Sequence, residues 1–228
     1  MILRLFRFLF LPGVLMWVCA FATSCGDSNA KLRFVQASPK ASSVDVFVNG
    51  NGFATGVAYA TATPYTSVPS GSPRVEARLS GQSNDLISVN VDLSQDKPYT
   101  ILTEDLLASI TAVLLNDDLS TPPQGQARVR MAQASPSVGG VDLYVVAPGT
   151  DISTVNPTVT NLPFESATGY QTVAAGDYEL VITSTGSKTV LFDSGTITLK
   201  SGQVRTAVTL DTAGGGLPLT GIVLNDLN

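Results

Sequence analysis

The sequence predicts an all-β protein: two tandem immunoglobulin-like β-sandwich domains behind an N-terminal signal segment. Three observations carry this. A phrase beginning Arg33-Phe-Val-Gln-Ala-Ser-Pro returns from Arg130 as Arg-Met-Ala-Gln-Ala-Ser-Pro, each copy followed by a Val-Asp pair. Short segments alternate polar and apolar residues with period two. Turn residues recur about every 8–12 positions, as they do in all-β sandwiches.

The first 24 residues are a signal peptide. Arg4 and Arg7 precede an apolar run from Phe8 to Phe21, and small residues lead to Cys25. Ala22-Thr23-Ser24-Cys25 is similar to the bacterial lipobox, with Ala22 where Leu is usual. The resemblance implies that Cys25 is lipidated and that residues 25–31 form a tether. An ordinary cleaved signal and a membrane anchor are the alternatives, and the run is short for a span of about 20 residues. Cys19 lies within the signal, so a lipidated Cys25 leaves no free thiol and no disulfide in the mature chain. The address expected is export across the inner membrane and anchoring by lipid, in the outer membrane where the cell has two. Gly26 lacks the Asp that resembles an inner-membrane retention signal.

The first repeat is expected over residues 32–119. Arg33–Val48 and Arg130–Val145 match at eight of sixteen positions, where unrelated segments match at about one. Val44, Val46 and Val48 share one face of a strand, with Asp45 and Phe47 on the other. Arg74–Leu79 and Ser88–Leu93 alternate as half-buried strands do. Ile110–Leu115 reads as a final strand paired with Thr220–Leu224 of the other copy.

Residues 120–127, Ser-Thr-Pro-Pro-Gln-Gly-Gln-Ala, read as a linker, and the second repeat follows over 128–228. Its landmarks keep their order. Tyr65 corresponds to Tyr170, and Leu114-Leu-Asn-Asp to Val223-Leu-Asn-Asp. The offset grows from 97 to 105 to 109, which places loop insertions in the second copy.

Composition restricts function. The chain has 228 residues, 44% apolar and 14% charged, which is globular and argues against disorder. Removing Arg4 and Arg7 leaves 11 basic and 18 acidic residues, a net charge of 11 − 18 = −7. That sets the mature chain against nucleic acid and anionic lipid headgroups. There is no His, which excludes Ser-His-Asp and Cys-His chemistry and His-based zinc sites.

No catalytic residue, metal ligand or cofactor is assigned. Ser94-Gln-Asp-Lys97 has Ser-x-x-Lys spacing, which works when a helical turn stacks the two side chains, but it precedes Pro98 and reads as a solvated turn. Asp117, Asp118 and Asp226 lack the loop pattern of a calcium site and read as capped turns. Gly214-Gly-Gly216 reads as a hairpin loop. Asp45 and Asp142 are candidate turn-fixing positions, with ligand binding the alternative. Phe34, Phe47, Phe192 and Tyr178 fit strand cores, whereas Tyr59, Tyr65 and Tyr170 sit in loop-like contexts. These three are candidate binding aromatics, with turn packing the alternative.

The paired Ala-Ser-Pro and Val-Asp-Val/Leu-Phe/Tyr-Val phrases, Tyr65 and Tyr170 ahead of their turns, and the closing Leu-Asn-Asp resemble the bacterial domain of unknown function 4397. The likeness covers Leu32–Leu119 and Arg128–Asn228. Where relatives commonly carry His before Ala-Ser-Pro, this chain has Gln36 and Gln133. The resemblance implies an extracytoplasmic β-sandwich and brings no activity with it. The function expected is a lipid-anchored, non-enzymatic envelope protein that binds or positions a protein or glycan. A structural spacer and an envelope hydrolase using Ser94 and Lys97 are the alternatives.

Overall fold

The computed structural model of the chain describes residues 28–228; the signal segment and Cys25 lie outside the described residues. The chain is all-β and folds as two copies of one nine-strand plan. In the first repeat these are β1 (Asn29–Gln36), β2 (Ser43–Val48), β3 (Asn51–Ala58), β4 (Thr61–Ala62), β5 (Thr66–Pro69), β6 (Arg74–Leu79), β7 (Asp85–Asn90), β8 (Pro98–Glu104) and β9 (Thr111–Asn116). The second repeat follows with β10 (Gln126–Gln133), β11 (Val141–Val146), β12 (Val159–Leu162), β13 (Ser166–Ala167), β14 (Gln171–Ala174), β15 (Gly176–Ser184), β16 (Val190–Leu199), β17 (Val204–Leu210) and β18 (Thr220–Leu227). The growing sequence offset has a visible cause. Two residues join β2 to β3, whereas twelve join β11 to β12, and these include a short 3₁₀ turn, Ile152–Thr154.

Each repeat is a sandwich of two sheets. One is β3-β2-β6-β7, or β12-β11-β15-β16 in the second copy. The other orders β4-β1-β8-β9, with β5 also on β1, and recurs as β13-β10-β17-β18 with β14 on β10. The first strand of each repeat runs parallel to its eighth, in the register Arg33↔Thr100 and Arg130↔Thr206. All other pairings among the named strands are antiparallel.

Alternation then decides what each face meets. On β1, Leu32 and Phe34 enter the first repeat's own core with Val44, Val46, Val75, Ala77 and Ile101. Met131, Val141, Leu143, Leu180 and Ile182 form the second repeat's core. The odd residues of β1 turn the other way, and a third core forms between the repeats. Val35, Ala37, Leu102 and Leu115 of the first copy pack there on Ala132, Ala134, Val208, Leu210 and Leu224 of the second. The β1 and β10 sheets are therefore buried on both faces, which is why Val35, Gln36 and Gln133 are all 0% exposed.

Two sequence expectations need correction. Ile110–Leu115 does not pair with Thr220–Leu224: β9 is hydrogen-bonded to β8 and β18 to β17. The two final strands meet side chain to side chain instead, through Leu115 and Leu224. Residues 29–31, expected as part of a tether over 25–31, belong to β1 instead. Asn29 pairs with Pro69, and Ala30 is 1% exposed in the first core.

Candidate functional site

The seam between the repeats holds a duplicated polar network. Arg33 on β1 donates from Nε and Nη2 to Thr100 Oγ1 on β8 at 3.1 and 2.8 Å, and from Nη2 to Asp226 Oδ1 at 2.6 Å. In the mirrored position, Arg130 on β10 donates from Nε to Thr206 Oγ1 at 3.1 Å and from Nη2 to Asp117 Oδ1 at 2.5 Å. Each arginine is thus paired with the acid of the other repeat. Each threonine donates to the acid of its own repeat, Thr100 to Asp117 and Thr206 to Asp226, both at 2.6 Å. Tyr65 Oη reaches Asp117 at 2.6 Å and Tyr170 Oη reaches Asp226 at 2.9 Å. Each guanidinium lies 4.6 Å from the ring centroid of its own repeat's tyrosine.

Electrostatics keeps both tyrosines as donors. Burial pushes the Tyr65 phenol well above its usual pKa, with Arg33 pulling against it and Asp117 adding to the rise. Tyr170 is raised the same way by burial and Asp226, against Arg130. Asp117 and Asp226, read from sequence as turn caps, are 9% and 6% exposed and carry two arginines and two tyrosines between them. Asp118 instead accepts Arg128 and the Ser120 backbone N–H on the surface.

Asp45 and Asp142 hold turns, but not the Ser-Pro turns beside them in sequence. Asp45 accepts Gly56 N–H and Ser80 Oγ, each at 2.8 Å, and these hydrogen bonds draw its carboxyl below its usual pKa. Asp142 accepts Asn161 and Gly186 N–H, both at 2.8 Å. The Ser-Pro turns belong to Gln36 and Gln133. Gln36 Oε1 accepts Ser38 N–H and Thr103 Oγ1–H, while its Nε2 donates to Ala41 O. Gln133 Oε1 accepts Ser135 N–H.

The remaining sequence candidates fall into place around the seam. Tyr59 Oη donates across it to Asp211 O at 2.8 Å. Asp211 takes Ser135 and Ser137 hydroxyls and, at 2.7 Å, the N–H of Gly216 from the glycine loop. Phe34 is fully buried; Phe47 lies on an outer face under the Arg78 guanidinium, 4.4 Å away. Phe192 and Tyr178 are half-buried. Ser94 and Lys97 sit in a turn closed by Lys97 N–H to Ser94 O at 3.3 Å, and no helix stacks their side chains.

One open groove lies on the seam. It has a volume of about 560 Å³ and runs between the Ala60–Tyr65 segment of the first repeat and Ile222–Asn225 of β18, with Arg33 at its base. Tyr65 is the only one of the three tyrosines singled out from sequence that borders it. The sequence reading missed Arg33, Arg130, Thr100 and Thr206. The available signal was an arginine at the same repeat position, inside an apolar strand, in both copies.

Comparison with known proteins gives a family match. The family described as Domain of unknown function (DUF4397) matches residues 30–144 and 146–228. No curated protein matches the chain. The C-terminal domain of AlgF from P. aeruginosa is 19% identical over 45% of this chain and 99% of that one, with TM-score 0.31. The Bacillus anthracis TIE protein is 7% identical over 80% of this chain and 34% of that one, with TM-score 0.26. A CBM26 module of Eubacterium rectale Amy13K, solved in complex with maltoheptaose, is 10% identical over 86% and 96%, with TM-score 0.28. Likenesses this distant carry no argument about what the chain binds.

Proposed function

We propose that this chain, which belongs to the DUF4397 family, is a non-enzymatic envelope protein held to the outer membrane by lipid on Cys25, and that its seam groove binds or positions an extended protein or glycan segment. The observation that carries the reading is the groove itself. It is open, and it is walled by Tyr65 and Pro64 on one repeat and by the edge strand β18 on the other. A tyrosine wall suits a sugar ring or an aromatic side chain. An unpaired strand edge suits an extended backbone. The fixed charges beneath are consumed by the seam, since both acids and both arginines are already hydrogen-bonded.

Two experiments test this. A photocrosslinking residue at Ala62, exposed on the groove wall, is introduced into the full-length protein in its host. A discrete adduct with an envelope protein or glycan, lost when Pro64→Arg is added on the same groove wall, supports binding; no adduct at any position along Ala60–Tyr65 overturns it. Protease digestion of intact and lysed cells, with Cys25→Ala beside wild type, tests the address. Release from the membrane fraction in Cys25→Ala is expected, and unchanged membrane association refutes the anchor.

The second reading, a structural spacer, is favoured by the apolar core that crosses the seam and joins both repeats into one body. It predicts that groove substitutions are silent.

A further inference from the structure

The two repeats share a backbone plan but not an interior. Register fixes the equivalences. Phe34, Ile101 and Leu114 stand side by side across β1, β8 and β9; the same row across β10, β17 and β18 is Met131, Ala207 and Val223. The next row replaces Ala112 by Gly221, and on the other side Leu32 by Val129. Each of these residues is smaller in the second repeat, and Val223 is left 45% exposed. The facing sheet recovers part of the volume, with Ala77 and Val46 of the first repeat matched by Ile182 and Leu143, and Phe192 resting on Gly221.

The recovery is incomplete. A hollow of about 170 Å³ remains between β16 and β18, beside Phe192, Ile197 and Ala207. A smaller one of about 40 Å³ continues it, sharing Leu180, Ile197, Ala207 and Val223 and ending at Arg205. An apolar space of roughly 150 Å³ takes a benzene-sized guest, so this one takes a chain of about six to eight carbons.

Arg205 makes the hollow chemically specific. It occupies the position of Tyr99 in the first repeat. It is 9% exposed and donates to the carbonyls of Val204 and Leu227 and to Asn228 Oδ1. Among the described residues it forms no salt bridge, unlike Arg33 and Arg130. Burial pulls its pKa down, against a distant push from Asp226. Glu179 also borders the hollow, but its carboxylate is engaged by Gly149 N–H at 2.8 Å. A buried cation without a counter-ion, at the end of an apolar slot bordered by two sheet-edge strands, is complementary to one chemistry: an anionic head on a short aliphatic tail.

We propose that the second repeat is a receptor for a medium-chain aliphatic carboxylate, the tail lying between β16 and β18 and the head on Arg205. The hollow adjoins the seam groove, with Val223 of β18 lining both; the proposal rests on the second repeat's own packing and on Arg205, not on an occupant of that groove.

The test is titration of the full-length protein in lipid nanodiscs with carboxyl-¹³C octanoate, against empty nanodiscs. Saturable binding is expected, with affinity rising about fourfold per methylene from butanoate to octanoate. Ala207→Ile and Val223→Leu, which restore bulk comparable to the first repeat, should each weaken it at least tenfold. Arg205→Gln should do the same, and neutral octanol should bind at least tenfold more weakly than octanoate. Binding that is non-saturable, or equal in wild type, Ala207→Ile and Val223→Leu, overturns the site. Octanol binding as tightly as octanoate overturns the role of Arg205. Arg205→Gln and Val223→Leu keep the test valid if Ala207→Ile prevents folding.

Discussion

Removing one seam acid should destabilise both repeats at once. Asp226→Ala deletes the acceptor for Arg33, Tyr170 and Thr206. Arg33, 3% exposed, keeps Thr100, a 3.4 Å bond to Asn225 O and Asp117 at 4.0 Å. Leaving a buried charge without its partner costs about 3–5 kcal/mol. For a cooperative unit of roughly 200 residues each kcal/mol is worth about 2–4 °C, so the midpoint should fall by about 6–20 °C. The mirrored substitution Asp117→Ala should cost a similar amount, because it strands Arg130, also 3% exposed. The apolar pair Arg33→Met with Asp226→Leu should recover part of the loss, since it leaves no charge behind. Urea titration followed by circular dichroism and tyrosine fluorescence gives the free energies and the number of transitions. The reasoning fails if both single variants lose less than about 1 kcal/mol, or if wild type unfolds in two separated steps, because either result means that the seam does not join the repeats.

Other outcomes follow from the same contacts. Glu104, 1% exposed and with Oε2 unpaired, has its carboxyl pushed up to about 8 by burial and by Glu165. The folded state therefore holds this proton where the unfolded chain, with an ordinary carboxyl near 4.5, has released it. The Glu104 contribution to stability should be full below pH 4.5 and be lost, by a few kcal/mol (about 1.4 per pKa unit), as pH rises to about 8; Glu104→Gln should be the more stable protein at pH 8 in denaturant titrations and no better at pH 4. Gln36→Leu should cost about 2–3 kcal/mol by orphaning Ser38 N–H and Ala41 O, and an unchanged urea midpoint would exclude the turn-fixing role. Residues 126–228 expressed alone would expose Val208, Leu210 and Leu224; they should associate as a twofold dimer with Arg130 on the partner copy's Asp226, and a stable monomer by light scattering counts against that.

The fold was legible because its signals are local. Period-two alternation gave Val44, Val46 and Val48 one face, and all three are buried. The repeat could be read because its turn chemistry demands the same residues twice: Gln36 and Gln133 bond the backbone two residues on, and Asp45 and Asp142 accept the N–H groups of Gly81 and Gly186 from neighbouring hairpins. The seam was not legible. Arg33 and Arg130 occupy the polar phase of their strands, which in a single sandwich points to water. Only the stacking of two sheets turns that phase inward, and the partners it finds lie 193 and 13 positions away. The tyrosines were noticed for their loop contexts, but nothing local tells Tyr65 on a groove from Tyr59 bonded to Asp211 O.

Symmetry also tells where the two copies have been allowed to differ. The seam keeps arginine, threonine, tyrosine and acid in both, because each copy satisfies the other's charges and a change on one side strands a group on its partner. Positions away from that network carry no such coupling. Leu210 on β17 stands where β8 has Glu104, so one end of the seam is apolar and the other carries a carboxyl held near 8. The interior has diverged in the same way, with Phe34, Ile101 and Leu114 giving way to Met131, Ala207 and Val223 around a hollow that ends at Arg205. Packing alone would favour a filled core, since cavities destabilise. A second copy that keeps the seam and opens its interior is therefore where the proposed ligand site lies.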